Sequence, residues 1–414
     1  MPERTFAAHG CRFAVVGGGI VGLSVARELL NRSQGSTVAL FEKEAEVGLH
    51  QTGRNSGVVH SGLYYLPHSL KARLCVRGRT LLEEYCARHR LPHDRCGKLV
   101  VAADEAELAR LRLLRRRAAT NGVDCTLLGA GELHSIEPHV AGVAALHVPA
   151  SGIVDYHAVA RHLADRLASH ERGALHLAAP VRQLRLENGA VRLTAENQPT
   201  RTFDLVVNCA GLHSDRIAHL AGSPTPARIV PFRGEYFELS PDAQHLVRGL
   251  VYPVPDPRFP FLGVHFTRMV GGGVECGPNA VFALSREGYR WRDVSPRDLA
   301  SALSYPGTLR LFAKHWRTGL GETWRSLSKR AFVRALQRLV PAIRPEHLIR
   351  APAGVRAQAL TRDGALVDDF VVQRDGPLLH VLNAPSPAAT AAFAIAEEIV
   401  EKHVLPSEQA PRSR

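Results

Sequence analysis

Three glycines, Gly17, Gly19 and Gly22, stand at the spacing of a turn that holds a pyrophosphate. A glycine at the first position permits a sharp exit from a strand, the second lets a phosphate approach the backbone, and the third lets helix and strand pack closely. Glu42, twenty positions past Gly22, can accept hydrogen bonds from the hydroxyls of an adenosine ribose. Two arginines are marked by their surroundings. Arg233 (Pro231-Phe-Arg-Gly234) and Arg356 (Gly354-Val-Arg) are flanked by glycine and apolar residues, so each needs a partner, either a protein acid or an anionic ligand. A guanidinium matches a carboxylate bidentately, which fixes orientation as well as charge. Two histidines can move a proton near neutral pH. His60 lies in a polar loop, whereas His265 sits in an apolar Val-His-Phe context that equally suits a hydrogen-bonded core histidine. Lys71 reads as a surface residue of its helix. Ser61 and Ser386 have no nucleophile-elbow pattern around them, and no His/Cys/Asp group has metal-ligand spacing, so no metal is expected.

The elements that must position these residues are legible in the pattern of apolar residues. Phe13 to Val16 and Val38 to Phe41 read as strands, separated by helical spacing at Val21, Val25, Leu29 and Leu30. Helical spacing recurs over Leu70 to Arg88, Glu105 to Asn121 and Tyr156 to Ser169, the last with Asp155 as N-cap. Ala174 to Thr194 is strand-rich and turns at Asn188-Gly189. Asp204 to Asn208 is an apolar strand, after which Ser214-Asp215 can cap a helix. From about Ser223 to Pro345 prolines and aromatics rise and short strands alternate with turns, with helices expected over Pro296 to Phe312 and Ser328 to Leu339. A strand over Leu378 to Leu382 leads through Asn383-Ala-Pro-Ser-Pro387 into an alanine-rich helix ending near Val400.

This order predicts an α/β protein with a discontinuous Rossmann-like nucleotide-binding domain, residues 11–80, 151–222 and 346–403. An inserted α+β substrate domain, built on a mostly antiparallel sheet, takes 81–150 and 223–345, and 404–414 form a disordered tail. The 414 residues are enough for about two domains. With 45% hydrophobic and 22% charged residues the composition is that of a globular protein. No run of about 18 uncharged apolar residues is present. With the first strand beginning after about ten residues, no signal peptide is expected ahead of it. Seven scattered cysteines without a C-x-x-C pair fit a reducing cytosol. The formal charge of +13 favours anionic partners. The arginines between Arg110 and Arg117 read as a solvated helix face, with an anionic membrane surface as the sharper alternative; nucleic acid has no motif behind it.

Which dinucleotide is bound follows from what comes after Glu42. A nicotinamide-binding domain continues as strand and helix units, but here a polar loop with Gly48, Gly53, Gly57 and Gly62 follows, able to wrap an extended ligand. The prolines before the last helix place a second helix N-terminus in the core, where its dipole suits the negative charge of a reduced flavin. The expected cofactor is therefore FAD.

Longer blocks carry a resemblance. These are Gln51 to Tyr65, Ser69 to Cys75, Cys96 to Val100, Gly152 to Tyr156, Arg228 to Gly234 and the Tyr252 to Phe266 segment. Gly277 to Ala280, Ala351 to Gln358 and Asn383 to Thr390 complete the set. In these blocks the chain resembles the FAD-dependent superfamily typified by D-amino-acid oxidase, and within it the L-2-hydroxyglutarate dehydrogenase family. The resemblance implies oxidation of L-2-hydroxyglutarate to 2-oxoglutarate by hydride transfer from the substrate Cα to flavin N5. Electrons would pass to quinone or an electron-transfer protein. For that chemistry the chain offers His60, then His265, as base, and Arg233 and Arg356 as carboxylate clamps, with Tyr65, Tyr252 and Asn383 adding hydrogen bonds. The residues expected against the cofactor are Gly17, Gly19, Gly22, Glu42, Thr52, Asn55, Ser56, Gly57, Val181, Ala210, Gly211, Gly354, Pro387 and Ala388. Two departures stand out: Arg54 replaces a frequent family histidine, and the chain is about one residue shorter around Thr267 to Met269. An oxidase of another 2-hydroxy acid or amino acid on the same fold, and a non-catalytic flavoprotein, remain as alternatives. The expected location is the cytoplasm, at the inner face of the membrane if the charge acts there, or the mitochondrion if a presequence has been removed.

Overall fold

A computed structural model describes residues 10–256 and 263–405. Its first sheet has the strand order Val371–Asp375, Leu378–Asn383, Leu205–Asn208, Arg12–Val16, Thr37–Phe41 and Gly173–His176. All neighbours are parallel except the antiparallel edge pair. These strands are near-continuous apolar runs because both faces are covered. Phe13, Val15, Leu40, Val207 and Leu379 share one core with the helices Ile20–Arg32, Leu70–His89, Tyr156–Ala168 and Ala388–Ile399. Ala14, Val16, Ala39, Phe41 and Val206 face the three-stranded sheet of Val181–Glu187, Ala190–Ala195 and Arg201–Phe203. That sheet turns at Asn188 and Gly189, φ 53° and 77°, as a two-residue hairpin of positive φ requires.

The second sheet is mostly antiparallel, running from Val281–Phe282 through Ala227–Leu239, Val274–Gly277, His265–Arg268, Leu250–Pro253, Lys98–Ala102 and Ala144–Val148 to Thr126–Gly129. Among the described residues only Leu250–Pro253 and Lys98–Ala102 pair in parallel within it. Side chains alternate across it. Leu99, Val101, Val251, Phe266, Val274, Cys276 and Phe237 bury one face against the helix Lys329–Leu336. Lys98, Tyr252, His265, Thr267 and Tyr236 are thereby turned to the other face.

The boundaries differ from expectation at three places. The strand Leu348–Thr361 pairs along nearly all of Ala227–Leu239, so Gly354 and Arg356 belong to the second sheet and not to the nucleotide-binding unit. The helix Leu70–His89 stays in the core of the first sheet well past residue 80, through Leu82, Tyr85 and Cys86. Val404, expected in the tail, is a core residue, whereas 406–414 lie outside the described residues. Asp155 caps its helix as expected, its Oδ1 accepting from Ala158 N at 2.9 Å. Ser214-Asp215 does not cap: Ser214 Oγ donates to Leu382 O, and Asp215 pairs with buried Arg286. The expected helix over 296–312 is two, Pro296–Leu303 and Pro306–Leu327, because Pro306 starts a new one. Among the described residues no helix is long and apolar enough to cross a membrane.

Candidate active site

The glycine turn closes over the carboxyl ends of the parallel strands, the edge where such sheets bind ligands. Gly17 has φ +111°, and a Cβ there would stand 2.5 Å from Cys209 O. A Cβ on Gly22 would land on the Gly17 carbonyl, so helix and turn approach as closely as the spacing implied. Gly19 is the N-cap of Ile20–Arg32, with neither a side-chain cap nor an acidic residue in the first turn, which leaves the amide dipoles for a phosphate. Glu42 accepts from Gly18 N (2.6 Å) and Glu44 N (2.9 Å), which leaves acceptor capacity for ribose hydroxyls.

The remaining cofactor candidates converge on this edge. Thr52 Oγ1 accepts from Ile20 N at 3.0 Å, and Gly48 N donates to Gly18 O, so the polar loop is fastened to the turn. Asn55 ties the loop to itself through Gln51 O, Thr52 O and Gly57 N, with Ser56 half-buried beside it. Gly57 O accepts from Val154 N. Ala210 and Gly211 follow the strand Leu205–Asn208, and a Cβ on Gly211 would stand 2.9 Å from Gln51 Oε1. A Cβ on Gly354 would land on Arg54 O, which brings the second sheet against the loop. Val181 stands just past Ala179, whose N donates to Glu42 O. Pro387 and Ala388 open the helix Ala388–Ile399 close to His60: Ser386 Oγ is 3.4 Å from His60 Nε2, and His60 N donates to Thr390 Oγ1. A glycine turn that excludes Cβ atoms, an uncapped helix start and a ribose acid together fit a dinucleotide such as FAD.

His60 faces the polar side of the second sheet. Burial first, then the charge of Lys98, the neighbouring His265 and Lys71 lower its pKa to about 3. Its Nδ1 is buried without a hydrogen-bond partner among the described residues. His265 is also lowered to about 3 by burial, against the hydrogen bond to Gly263 O and with help from Lys98 and Arg356. Its Nδ1 lies 2.8 Å from Gly263 O, which accepts, so the tautomer leaves Nε2 as an acceptor. The ring stacks on Tyr252 at 3.8 Å between centroids. Both imidazoles are therefore neutral and able to take a proton. The field around them is positive, from Lys98 and Lys71 at His60 and from Lys98 and Arg356 at His265. Glu275, on the same face, is pushed up to about 8 by burial and by Glu238, so it is neutral at pH 7.

Several residues take places that the sequence did not predict. Arg233, 1% exposed, is held by Glu235 at 3.1 Å and lies over Trp291. Paired in register with Val355, while Arg356 pairs with Phe232, it projects to the opposite face from Arg356. Of the two partners its surroundings allowed, it has the protein acid, and the expected carboxylate clamp is withdrawn. Arg356 stands on the polar face, hydrogen-bonded to Tyr236 and pressing on His265. Asn383 spends its amide donors on Val367 O and Asp369 O, which holds the Asp368–Asp369 loop and leaves Oδ1 without a partner among the described residues. Tyr65 is hydrogen-bonded to Ser386, and burial raises its pKa well above the ordinary value. Lys71 is buried and paired with Asp368 at 2.8 Å, not a surface residue. Arg54 lies 4.0 Å over the Tyr289 ring. Glu44, His50 and Glu287 converge without any sequence spacing to announce them, but Lys43 Nζ bonds both carboxylates and supplies the positive charge itself. Lys98 carries no mark of function in its flanking residues. It stands 4.4 Å from the Tyr252 ring, on a strand buried along its whole length, and only the pairing of that strand with Leu250–Pro253 shows that it faces Tyr252.

Comparison with known proteins agrees with this geometry. Residues 12–402 match the family described as FAD dependent oxidoreductase. The chain is 46% identical over 389 residues to L-2-hydroxyglutarate dehydrogenase of Indibacter alkaliphilus, covering 94% of this chain and 97% of that protein. It is 42% identical over 416 residues to the mitochondrial L-2-hydroxyglutarate dehydrogenase of Homo sapiens, covering 97% and 90%. Among solved structures, L-alpha-glycerophosphate oxidase from Mycoplasma pneumoniae with FAD bound shares the fold, with a TM-score of 0.76 at 22% identity over 96% of this chain and 95% of that one.

Proposed function

The chain belongs to the FAD dependent oxidoreductase family, and from that premise we propose that it oxidises L-2-hydroxyglutarate to 2-oxoglutarate. The observation that carries this reading is near full-length identity of 46% to a protein of that activity. The polar face described above supports it, because two neutral histidines in the positive field of Lys98 and Arg356 suit an anionic hydroxy acid. FAD, which the Gly17 to Gly22 turn and Glu42 would hold, would supply the hydride acceptor. The hydroxyl proton goes to His60, whose neutral imidazole is held at the start of the last helix. Arg356 orients the carboxylate beside the reacting carbon, since a planar fork fixes both position and angle. Arrival of a dianion reverses the positive field around His60 and His265 and raises their affinity for the proton being transferred.

Anaerobic titration of the holoenzyme with L- and D-2-hydroxyglutarate, followed by flavin absorbance, tests the reading. The L isomer should bleach the flavin and the D isomer should not. Bleaching by neither, or by lactate or glycine at the same rate, would overturn it.

The electrons pass to quinone or an electron-transfer protein, and the enzyme works as a peripheral protein at an anionic membrane surface, on the cytoplasmic side in a bacterium. Leu309, Trp316 and Trp324 are exposed on the helix Pro306–Leu327, with Arg310, Lys314 and Arg317 exposed among them. Interfacial aromatics beside lysine and arginine suit that surface, and the +13 charge adds to it. The holoenzyme should sediment with vesicles containing anionic lipid and less so after Trp316→Ala with Trp324→Ala. Equal binding by the double variant would remove this helix from the contact.

A further inference from the structure

Four cations, Lys71, Lys98, Arg233 and Arg286, are buried among the described residues. Three have a carboxylate: Lys71 has Asp368, Arg233 has Glu235 and Arg286 has Asp215. Lys98, 2% exposed, has none among the described residues. Its Nζ lies 4.4 Å from the Tyr252 ring and 5.1 Å from the Tyr64 ring, contacts that offset only part of the cost of burying an ammonium. A protein that leaves one interior cation without its counter-charge has left room for an anion from outside.

The position says which anion. Lys98 stands on the polar face of the second sheet, on the strand next to that of Tyr252. His265 feels the charge of both Lys98 and Arg356, so its ring lies within range of both cations. With Arg233 withdrawn, a second anionic group of the substrate still needs a cation, and Lys98 supplies one on the correct face. The planar fork of Arg356 suits the end where Cα must be oriented, and a compact charge on a flexible stem suits the other. We propose that Lys98 binds the carboxylate remote from the reacting carbon and so makes the enzyme selective for hydroxy diacids over hydroxy monoacids. This rests on the reading of the site as that of a hydroxy-acid oxidoreductase.

The groups facing Lys98 are His60, His265, Tyr64, Tyr252, Cys75 and Cys96. None is an acid at neutral pH, and burial lowers the ammonium to about 8. The cation is therefore present below that pH and lost as pH rises through it, and selectivity for the diacid should fall with it in kcat/KM, which reports the free enzyme.

The test compares wild-type, Lys98→Met, Lys98→Arg and Arg356→Met holoenzymes in anaerobic flavin reduction by L-2-hydroxyglutarate and by L-2-hydroxybutyrate, which lacks the remote carboxylate. Lys98→Met should lose on the order of 100-fold in kcat/KM for the diacid and little for the monoacid. Lys98→Arg should restore part of the loss, while Arg356→Met should weaken both substrates. Glutarate, which binds without reacting, should show the same loss of affinity in Lys98→Met by its perturbation of the flavin spectrum, a readout independent of turnover. Equal losses for both substrates, or none for either, would overturn the role of Lys98 while leaving the function intact. A wild-type enzyme that reduces its flavin with neither acid overturns the function instead.

Discussion

Replacing His60 by Gln should slow anaerobic flavin reduction by about 10²–10⁴-fold while FAD stays bound. The rate falls because a neutral imidazole is lost at a point where the substrate hydroxyl proton must go, and Gln has no basic lone pair to replace it. The cofactor stays because the loop is not held by the imidazole. His60 N donates to Thr390 Oγ1 at 3.1 Å, and Cys75 Sγ donates to His60 O at 3.3 Å, so the backbone is pinned from both sides. The nucleotide cradle, from Gly17 to Thr52, uses none of these bonds. His265→Gln is the informative companion. Its ring is stacked on Tyr252 and fixed by Gly263 O, so its loss should cost stability as well as a smaller part of the rate. Stopped-flow reduction with L-2-hydroxyglutarate separates the two. Near-normal reduction by the His60 variant would take that residue out of the chemistry.

Asp215→Ala should destabilise the folded protein by about 3–5 kcal/mol, the largest stability effect expected of a single polar substitution here. Asp215 and Arg286 are both buried and make two charge-assisted bonds, one of them Nη2 to Oδ2 at 2.8 Å. The carboxylate also accepts from Arg216 N and Ile229 N, and the guanidinium also donates to Leu212 O. Burial pushes the carboxyl up, but the Arg286 hydrogen bond and charge outweigh it and hold it below the usual carboxylate range. Removing the acid leaves a guanidinium without a counter-charge in the interior. A double variant, Asp215→Ala with Arg286→Met, should recover much of the loss, because then no charge is buried. The sign with pH follows: a depressed acid contributes stability above its unfolded pKa, and that contribution falls as pH drops through the folded value. Urea unfolding of the three variants measures this, and additive effects in the double variant would mean that the two side chains do not act as a pair.

The first sheet was legible because its signals are local. Gly17, Gly19 and Gly22 lie within one turn, the acid of Glu42 ends the next strand, and Asn188-Gly189 names its own hairpin. Lys98, Arg356 and Arg233 belong to a different kind of problem. Whether a guanidinium meets a protein acid or a ligand depends on which strand lies beside it, and Leu348–Thr361 lies beside Ala227–Leu239 across more than a hundred residues of sequence. Arg233 and Arg356 look alike in flanking residues, but the register of that pair sends them to opposite faces. Lys98 escaped notice because a lysine in an apolar strand carries no mark of lacking an acid. That becomes visible only when every neighbour is known. Ser214-Asp215 shows the same limit, since a good capping pair was taken by Arg286, far away in sequence. Pro306 is the converse, a local signal that starts a second helix inside a span read as one.

The pairing of Leu205–Asn208 with Leu378–Asn383 has a consequence for synthesis. A sheet whose neighbours are so far apart in the chain has high contact order and closes slowly. The Gly17 turn leaves the ribosome long before the strand Leu378–Asn383 that joins its sheet and the helix Ala388–Ile399. Until they do, the core of Phe13, Val15 and Leu379 has a missing wall, and the start of the last helix is not yet beside His60. FAD can therefore act on folding only as a late ligand, selecting nearly finished chains, and a supply of the cofactor should raise the yield of complete protein without rescuing shortened forms.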